Sequence, residues 1–339
     1  MGIHVSEMCG AKNAVKIAFV GDVMLGRGVN EEIAQRPSEY FWGDALPALR
    51  SADAVVANLE CAITARKRRW QKTPKAFYFR ADPAAPNVLK VANIRCVSLA
   101  NNHTLDYEEE GLVDTLNNLD SAGIARAGAG RNRAEAEAPA VIEVKGLRVG
   151  FIAMTDNEPS FAAGLDRPGT NYLEIEVNEA TRGFLFREIS EARRLGADLV
   201  VLSLHWGPNM VISPPPHFRD FARMAVDLGV DVVHGHSAHV FQAVQKLGRG
   251  LVMFDTGDFL DDYAVDPILR NDWSFIFLAE ADREGVKRLR MVPVRLTYAR
   301  VDLAAGQEFE EIRLRMKMLC EEFETPVFNV AEGLELMIR

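Results

Sequence analysis

Residues 97–124, VSLANNHTLDYEEEGLVDTLNNLDSAGI, join an apolar run, a polar turn and an amphipathic run without a break. The apolar run 95–99 predicts a buried strand, and the periodic run 107–122 predicts a helix. The polar residues between the two runs include Asn101, Asn102, His103 and Asp106. In parallel α/β sheets, ligands bind beyond the carboxyl ends of the strands. This stretch therefore predicts an α/β fold with a polar site at its strand ends.

The same alternation continues on both sides of this stretch. Short apolar runs predict further buried strands at 15–20, 54–57, 148–154, 198–204, 230–233 and 251–254. Helices are predicted at 179–195, 217–228 and 308–322. Strands that alternate with helices favour an α/β fold. After Asp272 the pattern changes, because the runs 273–281 and 287–299 predict an antiparallel hairpin. Residues 125–140, which mix small and charged residues, are expected to form a surface loop.

The overall composition is that of a globular protein with a large core. Of the 339 residues, 48% are hydrophobic and 26% are charged, so disorder is not expected. The formal net charge is -9. An acidic chain lacks the basic footprint that binding to the nucleic-acid backbone requires. The composition thus argues against a nucleic acid as the main partner.

The cysteines and the hydropathy pattern bear on the compartment. The four cysteines, Cys9, Cys61, Cys96 and Cys320, are widely scattered and include no Cys-x-x-Cys pair. They predict reduced thiols rather than a disulfide framework or a thiolate zinc site. No stretch approaches the roughly 20 apolar residues of a membrane span, and residues 1–16 lack the apolar run of a signal peptide. We therefore expect a cytoplasmic protein.

Metal-binding residue types collect at the other predicted strand ends. They are Asp22, Asn58, Glu60, His205, His234, His236 and His239. A lone aspartate after a strand is usually a helix N-cap. Three histidines within six residues are harder to explain by packing, since each neutral ring needs a donor and an acceptor partner. Imidazole, carboxylate and amide ligands without cysteine are typical of zinc, manganese or iron. The sequence thus predicts a site for divalent metal.

The segment 64–80, TARKRRWQKTPKAFYFR, concentrates cations and aromatic residues in an otherwise acidic chain. One interpretation is a solvated basic loop. The other is an anion-binding flap over the site, in which residues 66–69 with Trp70, Phe77 and Tyr78 recognise an anionic or aromatic substrate. Both interpretations stay open from the sequence alone.

Several sequence blocks, in order, carry a resemblance to a known family. They are IAFVGDVMLGR (17–27), ANLECAIT (57–64), the stretch 97–124, LSLHWG (202–207), DVVHGHSAHVFQAV (231–244) and FDTGDF (254–259). The chain here resembles the capsule-synthesis protein CapA family, also described as poly-γ-glutamate biosynthesis proteins, within the calcineurin-like metallophosphoesterase superfamily. The resemblance implies a four-layer α/β/β/α sandwich of two mixed sheets flanked by helices. We also expect an extension at 1–14, the metallophosphoesterase-like domain at 15–300 and a helical tail at 301–339 that packs on it.

The resemblance also implies roles for individual residues. The implied metal ligands are Asp22, Glu60, Asn102, His205, His236 and His239. His103 resembles the histidine that protonates the leaving group, and Asp106 is placed to orient it. Arg27 could contact a phosphate oxygen, with a surface salt bridge as the alternative.

Three motifs depart from the family pattern. Asp22 is not followed by the usual Asp-x-His histidine, and the last histidine motif reads GHSAH with His234 upstream. A shifted ligand set that uses His234 and His236 is therefore open, because residues two apart on a strand face the same side. Asp258 stands where the family commonly has asparagine and adds a carboxylate near the edge. Asn58, His234 and Asp258 are thus additional candidate ligands.

The resemblance leaves three hypotheses about function. The first is a metal-dependent hydrolase that cleaves a phosphoester with metal-activated water and holds one or two ions of manganese, zinc or iron. The second is a non-hydrolytic factor in the biosynthesis or export of poly-γ-glutamate, with the polyanionic chain bound at the metal site. The third is a degenerate member whose site only stabilises the fold. The expected partner is an anionic small molecule or polymer.

Overall fold

In a computed structural model of the protein, residues 14–339 are described and form strands and helices in alternation. The strands are β1 Val15–Val23, β2 Ala54–Leu59, β3 Ala62–Ile63, β4 Arg80–Ala81, β5 Ile94–Ser98, β6 Ala125–Ala127, β7 Ala129–Gly130, β8 Ala140–Val144, β9 Leu147–Thr155, β10 Gly169–Thr170, β11 Leu199–His205, β12 Val232–His236, β13 Val244–Leu247, β14 Gly250–Met253, β15 Asp258–Leu260, β16 Trp273–Asp282, β17 Gly285–Thr297, β18 Arg300–Leu303, β19 Phe328–Val330 and β20 Gly333–Met337. The helices are α1 Arg27–Ile33, α2 Leu46–Ser51, α3 Pro86–Val91, α4 Glu108–Ala122, α5 Arg133–Glu137, α6 Glu179–Arg194, α7 Pro216–Asp227 and α8 Gly306–Glu321, with 3₁₀ helices at Ser38–Ala45 and Pro159–Phe161.

Two mixed sheets contain most of the strands. The larger has ten strands in the order β19-β20-β17-β16-β1-β2-β5-β6, with β15 paired to β1 and β18 paired to β17. The smaller has six strands in the order β13-β14-β12-β11-β9-β8. Strand β1 lies inside the larger sheet, parallel to β2 and antiparallel to β16. The predicted hairpin is therefore present as β16 and β17.

The sheets pack face to face, and helices cover their outer faces. Alternate residues of β1 divide between two hydrophobic clusters, as the two-residue period of a strand requires. Ile17 and Phe19 join a cluster that also contains buried residues of the smaller sheet, whereas Ala18 and Val20 join one that contains residues of α3 and α4. Helices α6 and α7 pack on the outer face of the smaller sheet. The predicted four-layer α/β/β/α sandwich is confirmed.

Two segments differ from the prediction. Residues 125–140 are not a loop throughout, because β6 extends the larger sheet by pairing with β5 and Asn132 caps helix α5. The C-terminal segment contains α8 together with β19 and β20, and β20 pairs with β17. The division at 15–300 and 301–339 stays a proposal, and residues 1–13 of the expected extension lie outside the described residues.

The helices within residues 14–339 are at most 16 residues long. None of them combines the length and the apolar composition needed to cross a membrane.

Candidate metal centre

The carboxyl ends of the strands bring the predicted ligands together. Asp22 at the end of β1 lies in register with Asn58 on β2 and with Asp258 on β15. In the facing sheet, His205 on β11 is in register with His236 on β12. Because the two sheets pack face to face, His236 Nδ1 lies 3.8 Å from Asp22 Oδ1.

Two groups of side chains have the spacing that a metal ion needs. One contains Asp22, His205 and His236, and the other contains Asp22, Glu60, His239 and Asp258, with the ligand atoms in each group within 4.8 Å of one another. Asp22 belongs to both groups. All of these residues are buried except His239, which is partly exposed. The arrangement is that of two adjacent cation positions that share one carboxylate.

Several oxygen atoms of this cluster lack a hydrogen-bond partner within residues 14–339. They are Asp22 Oδ2, Glu60 Oε1, Asn102 Oδ1 and Asp258 Oδ2. A buried polar atom without a partner costs about 1–3 kcal/mol, and more when it is charged. A bound cation would satisfy all of these atoms, so the residues present fit a divalent metal.

The electrostatics of the cluster agree with that fit. Burial, together with the neighbouring carboxylates, raises the pKa of Asp22, Glu60 and Asp258. Burial lowers the pKa of His205 and His236 well below the usual range. A cation binds neutral imidazoles and ionised carboxylates, so the histidines are already in the ligating state and the ion would favour ionisation of the acids.

His239 differs from the other histidines of the cluster. Burial opposes its charge, but Glu60 and Asp22 outweigh burial and raise the pKa of His239. Its Nδ1 lies 2.7 Å from Asp258 Oδ1 and 3.8 Å from Asp22 Oδ2. His239 therefore stands between two of the carboxylates with which it would share an ion.

Asn58 has a supporting role in the observed geometry. Its Nδ2 donates to Asp22 Oδ1 over 2.7 Å, and its Oδ1 accepts from Asn101 Nδ2 over 3.0 Å. These two bonds let Asn58 orient Asp22, and a role of Asn58 as a ligand stays a prediction. Asn101 was not among the predicted site residues, although it directly precedes Asn102 in the strand-end motif.

His234 lies outside both groups. Its Nε2 bonds the carbonyl oxygen of Val20 over 3.0 Å, and its ring packs edge-on against Phe19. His234 and His236 do face the same side of β12, as the strand period predicts, but His234 is one residue pair deeper between the sheets. The geometry thus disfavours a ligand set shifted to His234. Ser203 Oγ lies 2.8 Å from His236 Nε2, so Nδ1 is the nitrogen of that ring that faces Asp22.

His103 and Asp106 form a buried pair beside the cluster. His103 Nδ1 lies 2.7 Å from Asp106 Oδ2, and His103 Nε2 lies 3.9 Å from Glu60 Oε1. Burial lowers the pKa of His103, while Asp106 opposes that shift. The ring of Phe79 stacks on His103 with a centroid distance of 3.9 Å. The pair is therefore held rigidly with one ring nitrogen free.

An open cleft of about 570 Å³ leads to this cluster. Its lining includes Asn102, His103 and His239 together with the apolar side chains of Phe77, Phe79 and Met210. Tyr263 also lines it, with its hydroxyl 3.4 Å from Glu60 Oε2. A ligand in the cleft would therefore meet both an apolar wall and the candidate metal ligands.

Arg27 lies at the edge of this cleft and already has a partner. Its guanidinium lies 3.0 Å from Asp262 Oδ1 and within 5.6 Å of the ring centres of Phe79 and Tyr263. The salt bridge that the sequence left as an alternative is present. A phosphate contact remains compatible with the position of Arg27, since its side chain is 40% exposed.

The basic segment 64–80 packs largely on helix α4. Arg66 pairs with Asp114 over 2.9 Å, and Lys72 pairs with Glu109 over 2.5 Å. Trp70 is buried against Phe161. Arg68, Lys75 and Arg80 also pair with carboxylates, so five of the seven cations of the segment have acidic partners. The cleft-facing part, 74–79, is mainly apolar.

Further acidic residues near the centre were not predicted. Asp255 accepts the backbone N–H groups of Ala238 and Gly257, which fixes the two loops that carry His239 and Asp258. Burial raises the pKa of Asp255 to about 7. The pKa of Asp261 is likewise raised by burial, to about 6. The run of aspartates between 255 and 262 was the sequence signal for this acidic surround.

Comparison with known proteins gives one family. Residues 16–263 match the family model described as "Bacterial capsule synthesis protein PGA_cap". The capsule biosynthesis protein CapA of Bacillus anthracis is 30% identical over 254 residues, which cover 73% of this chain and 59% of that protein. A probable polyglutamine synthesis accessory protein of Mycobacterium tuberculosis is 28% identical and covers 96% of this chain and 97% of its own length.

The lengths of these relatives differ. The PGA biosynthesis protein CapA of Bacillus subtilis is 28% identical, and the match covers 74% of this chain and 64% of that protein. The chain thus spans less than two thirds of both Bacillus proteins and nearly all of the mycobacterial one. Among solved structures, the sulfate thiohydrolase SoxB of Thermus thermophilus has a TM-score of 0.48 at 9% identity, over 95% of this chain and 63% of that one. A TM-score below 0.5 does not bear on function.

Proposed function

The chain belongs to the bacterial capsule synthesis protein family PGA_cap, and on that premise we propose that it is a metal-dependent phosphoesterase serving capsule-polymer synthesis. The observation that carries the proposal is the pair of ligand groups sharing Asp22 beside the His103–Asp106 pair, at the base of an open cleft. A purely structural ion would explain neither the open cleft above the buried ligands nor the His103–Asp106 pair beside them.

The proposed ligands come from both sheets. Asp22, His205 and His236 would hold one ion, and Asp22, Glu60, His239 and Asp258 would hold a second, with Asn102 facing the centre from the cleft. Manganese, zinc and iron suit this mixture of imidazole and carboxylate. A bound cation supplies a Lewis acid that polarises a phosphoryl oxygen and lowers the pKa of water.

His103 would supply the proton for the leaving group. Asp106 holds Nδ1, so Nε2 is the nitrogen that faces Glu60 and the cleft. The lowered pKa of His103 makes its protonated ring a stronger acid, and Asp106 stabilises that ring by charge. Arg27 would contact a phosphate oxygen from the rim.

A second candidate function is binding of a glutamate polymer without hydrolysis. It is favoured by the names of the relatives, which refer to capsule, PGA and polyglutamine synthesis. Carboxylate groups of a polyanionic chain would then bind the same cations. In both cases the partner is an anionic small molecule or polymer. The cytoplasmic location stays a prediction.

Metal analysis and a substrate panel test the proposal. The purified protein is loaded with manganese or zinc, its metal content is measured, and it is assayed against phosphomonoesters, phosphodiesters and poly-γ-glutamate. Metal-dependent cleavage of a phosphoester supports the first function. Retained polyglutamate binding without any cleavage favours the second. Bound metal with neither activity contradicts both and leaves only a structural ion.

A further inference from the structure

The function proposed above gives no role to the buried lysine of the segment 64–80. The side chain of Lys75 is 5% exposed, whereas that of Lys72 in the same loop is 50% exposed. Removing an ammonium group from water costs several kcal/mol unless charged and polar partners surround it. The contacts of Lys75 therefore indicate which groups compensate for the burial of its ammonium group.

Those contacts lie within the site. Lys75 Nζ donates to the backbone oxygen of Asn102 over 2.5 Å and lies 3.4 Å from Asp106 Oδ1. It also lies 5.3 Å from the ring centre of Phe161, which favours a cation. One ammonium group thus touches both the loop of a proposed metal ligand and the carboxylate that orients His103.

Among the described residues, Lys75 is the only lysine or arginine with a nitrogen within 4.0 Å of the Asp106 carboxylate. Asp106 Oδ2 accepts from His103 Nδ1 and from the backbone N–H of Phe79, but Asp106 Oδ1 has no hydrogen-bond partner in the described part of the chain. The carboxylate is fully buried. The ammonium of Lys75 faces the oxygen that the hydrogen bonds leave open, so it compensates the burial of this carboxylate and holds it in place.

We propose that Lys75 is a positioning residue for proton transfer, which holds the Asp106 carboxylate against His103 and fixes the 102–106 turn. The inference rests on the proposed function. In the step concerned, the oxygen of a water molecule bonds to phosphorus and its proton passes to solvent, the bond between phosphorus and the leaving oxygen breaks, and that oxygen takes the proton from His103 Nε2. The ring returns to its neutral form, and solvent restores the proton afterwards. Lys75 touches neither the substrate nor the reacting atoms.

Kinetics with two leaving groups test the role of Lys75. An alkyl phosphate needs a proton on its leaving oxygen, whereas p-nitrophenyl phosphate releases a stable anion. We expect Lys75→Met to lower kcat for glycerol phosphate by about 100-fold, with KM nearly unchanged, and to change the aryl ester only a few-fold. Lys75→Arg restores most of the loss. Lys72→Met, the matched control in the same loop, leaves both rates unchanged because its ion pair is exposed.

A measurement that needs no turnover separates this inference from the proposed function. In zinc-loaded protein, the proton on His103 Nδ1 that bonds a carboxylate gives a low-field NMR resonance, assigned by its loss in Asp106→Asn. We expect that resonance to shift or disappear in Lys75→Met and to persist in Lys72→Met. If the wild type cleaves neither ester, the proposed function fails, and the resonance still decides the role of Lys75.

Two results would overturn the inference. The first is a Lys75→Met protein that keeps the resonance and the wild-type ratio of the two rates. The second is an equal fall on both esters with reduced metal content, since Lys75 would then act only on the Asn102 loop.

Discussion

Asp22 has an unusual position at the residue scale, because both candidate cation positions include it. Asp22→Asn should therefore weaken metal binding at both positions by at least about tenfold, whereas His205→Ala should weaken it at only one. Elemental analysis after dialysis against limiting zinc or manganese measures the number of ions retained. His217→Ala is the control, since that histidine is exposed on α7. An Asp22→Asn protein that keeps two ions would contradict the shared carboxylate.

Glu188 on α6 is a buried acid remote from the centre. Burial, with Glu137 as the next cause, raises the pKa of Glu188 from 4.5 to about 7. The folded protein thus binds a proton that the unfolded chain has released, so the free energy of unfolding falls as pH rises from about 4.5 through 7. Glu188→Gln should remove this loss and exceed the wild type in stability above pH 7 by about 1–2 kcal/mol.

Denaturant unfolding at pH 5 and pH 8 measures the effect of Glu188. Glu191→Gln on the same helix is the control of opposite sign, because Arg194 lowers the pKa of the exposed Glu191. Its removal gives no gain at pH 8. An identical pH dependence for the wild type and Glu188→Gln would refute the assignment.

At the scale of elements, β1 passes very close to the turn that precedes β15. A Cβ atom on Gly21 would lie 1.7 Å from the carbonyl oxygen of Gly257, and Asp22 N donates to that same oxygen over 2.9 Å. Gly21→Ala should therefore separate β1 from the turn, destabilise the fold by about 2–3 kcal/mol and displace Asp22 from Asp258.

Thermal unfolding and metal content together test this contact. Gly183→Ala in α6 is the matched control, since a Cβ there meets nothing within 4 Å. It should stabilise the protein by about 0.5–1 kcal/mol through helix propensity. Equal melting temperatures for Gly21→Ala and the wild type would show that the strand and turn can separate freely.

Elements dominated by local pattern were predictable from the sequence. The predicted helix 179–195 corresponds to α6 at Glu179–Arg194, and the hairpin corresponds to β16 and β17. Residues 125–140 were misjudged because β6 is stabilised by pairing with β5 and β7 by pairing with β10, contacts that composition does not encode. The placement of β16 beside β1 was equally inaccessible, since it joins distant parts of the chain.

The candidate site shows the same division. Histidines and carboxylates at strand ends were visible because parallel strands bring such ends to one edge. The different role of His234 was not visible in the sequence, because it depends on a hydrogen bond to the backbone of Val20 in the other sheet. Lys75 was part of a cationic segment that looked uniform, and only packing distinguishes its buried ammonium from exposed Lys72.

At the scale of the whole molecule, the C-terminal strand is part of the main body. Leu334, Leu336 and Ile338 are buried. Strand β20 pairs with β17, where Leu336 lies opposite Leu289 and Leu334 lies opposite Met291. Three buried aliphatic side chains contribute about 1.5–3 kcal/mol each, which is comparable to the stability of a typical domain. Removal of residues 326–339 should therefore yield unfolded or aggregated protein.

Circular dichroism and size-exclusion chromatography distinguish the outcomes of this truncation. Met337→Ser is the control, because that side chain is 46% exposed at the strand end and should leave the melting temperature nearly unchanged. A truncated protein that melts with the wild type would show that the sheet is complete without β20.

The antiparallel pairing of β1 with β16 also sets an order of events during synthesis. About 260 residues separate Phe19 from its partner Phe277. Because a ribosome adds about 5–20 residues per second, the edge of β1 that pairs with β16 stays without that partner for roughly 13–50 s. Asp258 emerges from the ribosome only near the end of that interval. The proposed second cation position would thus be completed late, after most of the polypeptide has been translated.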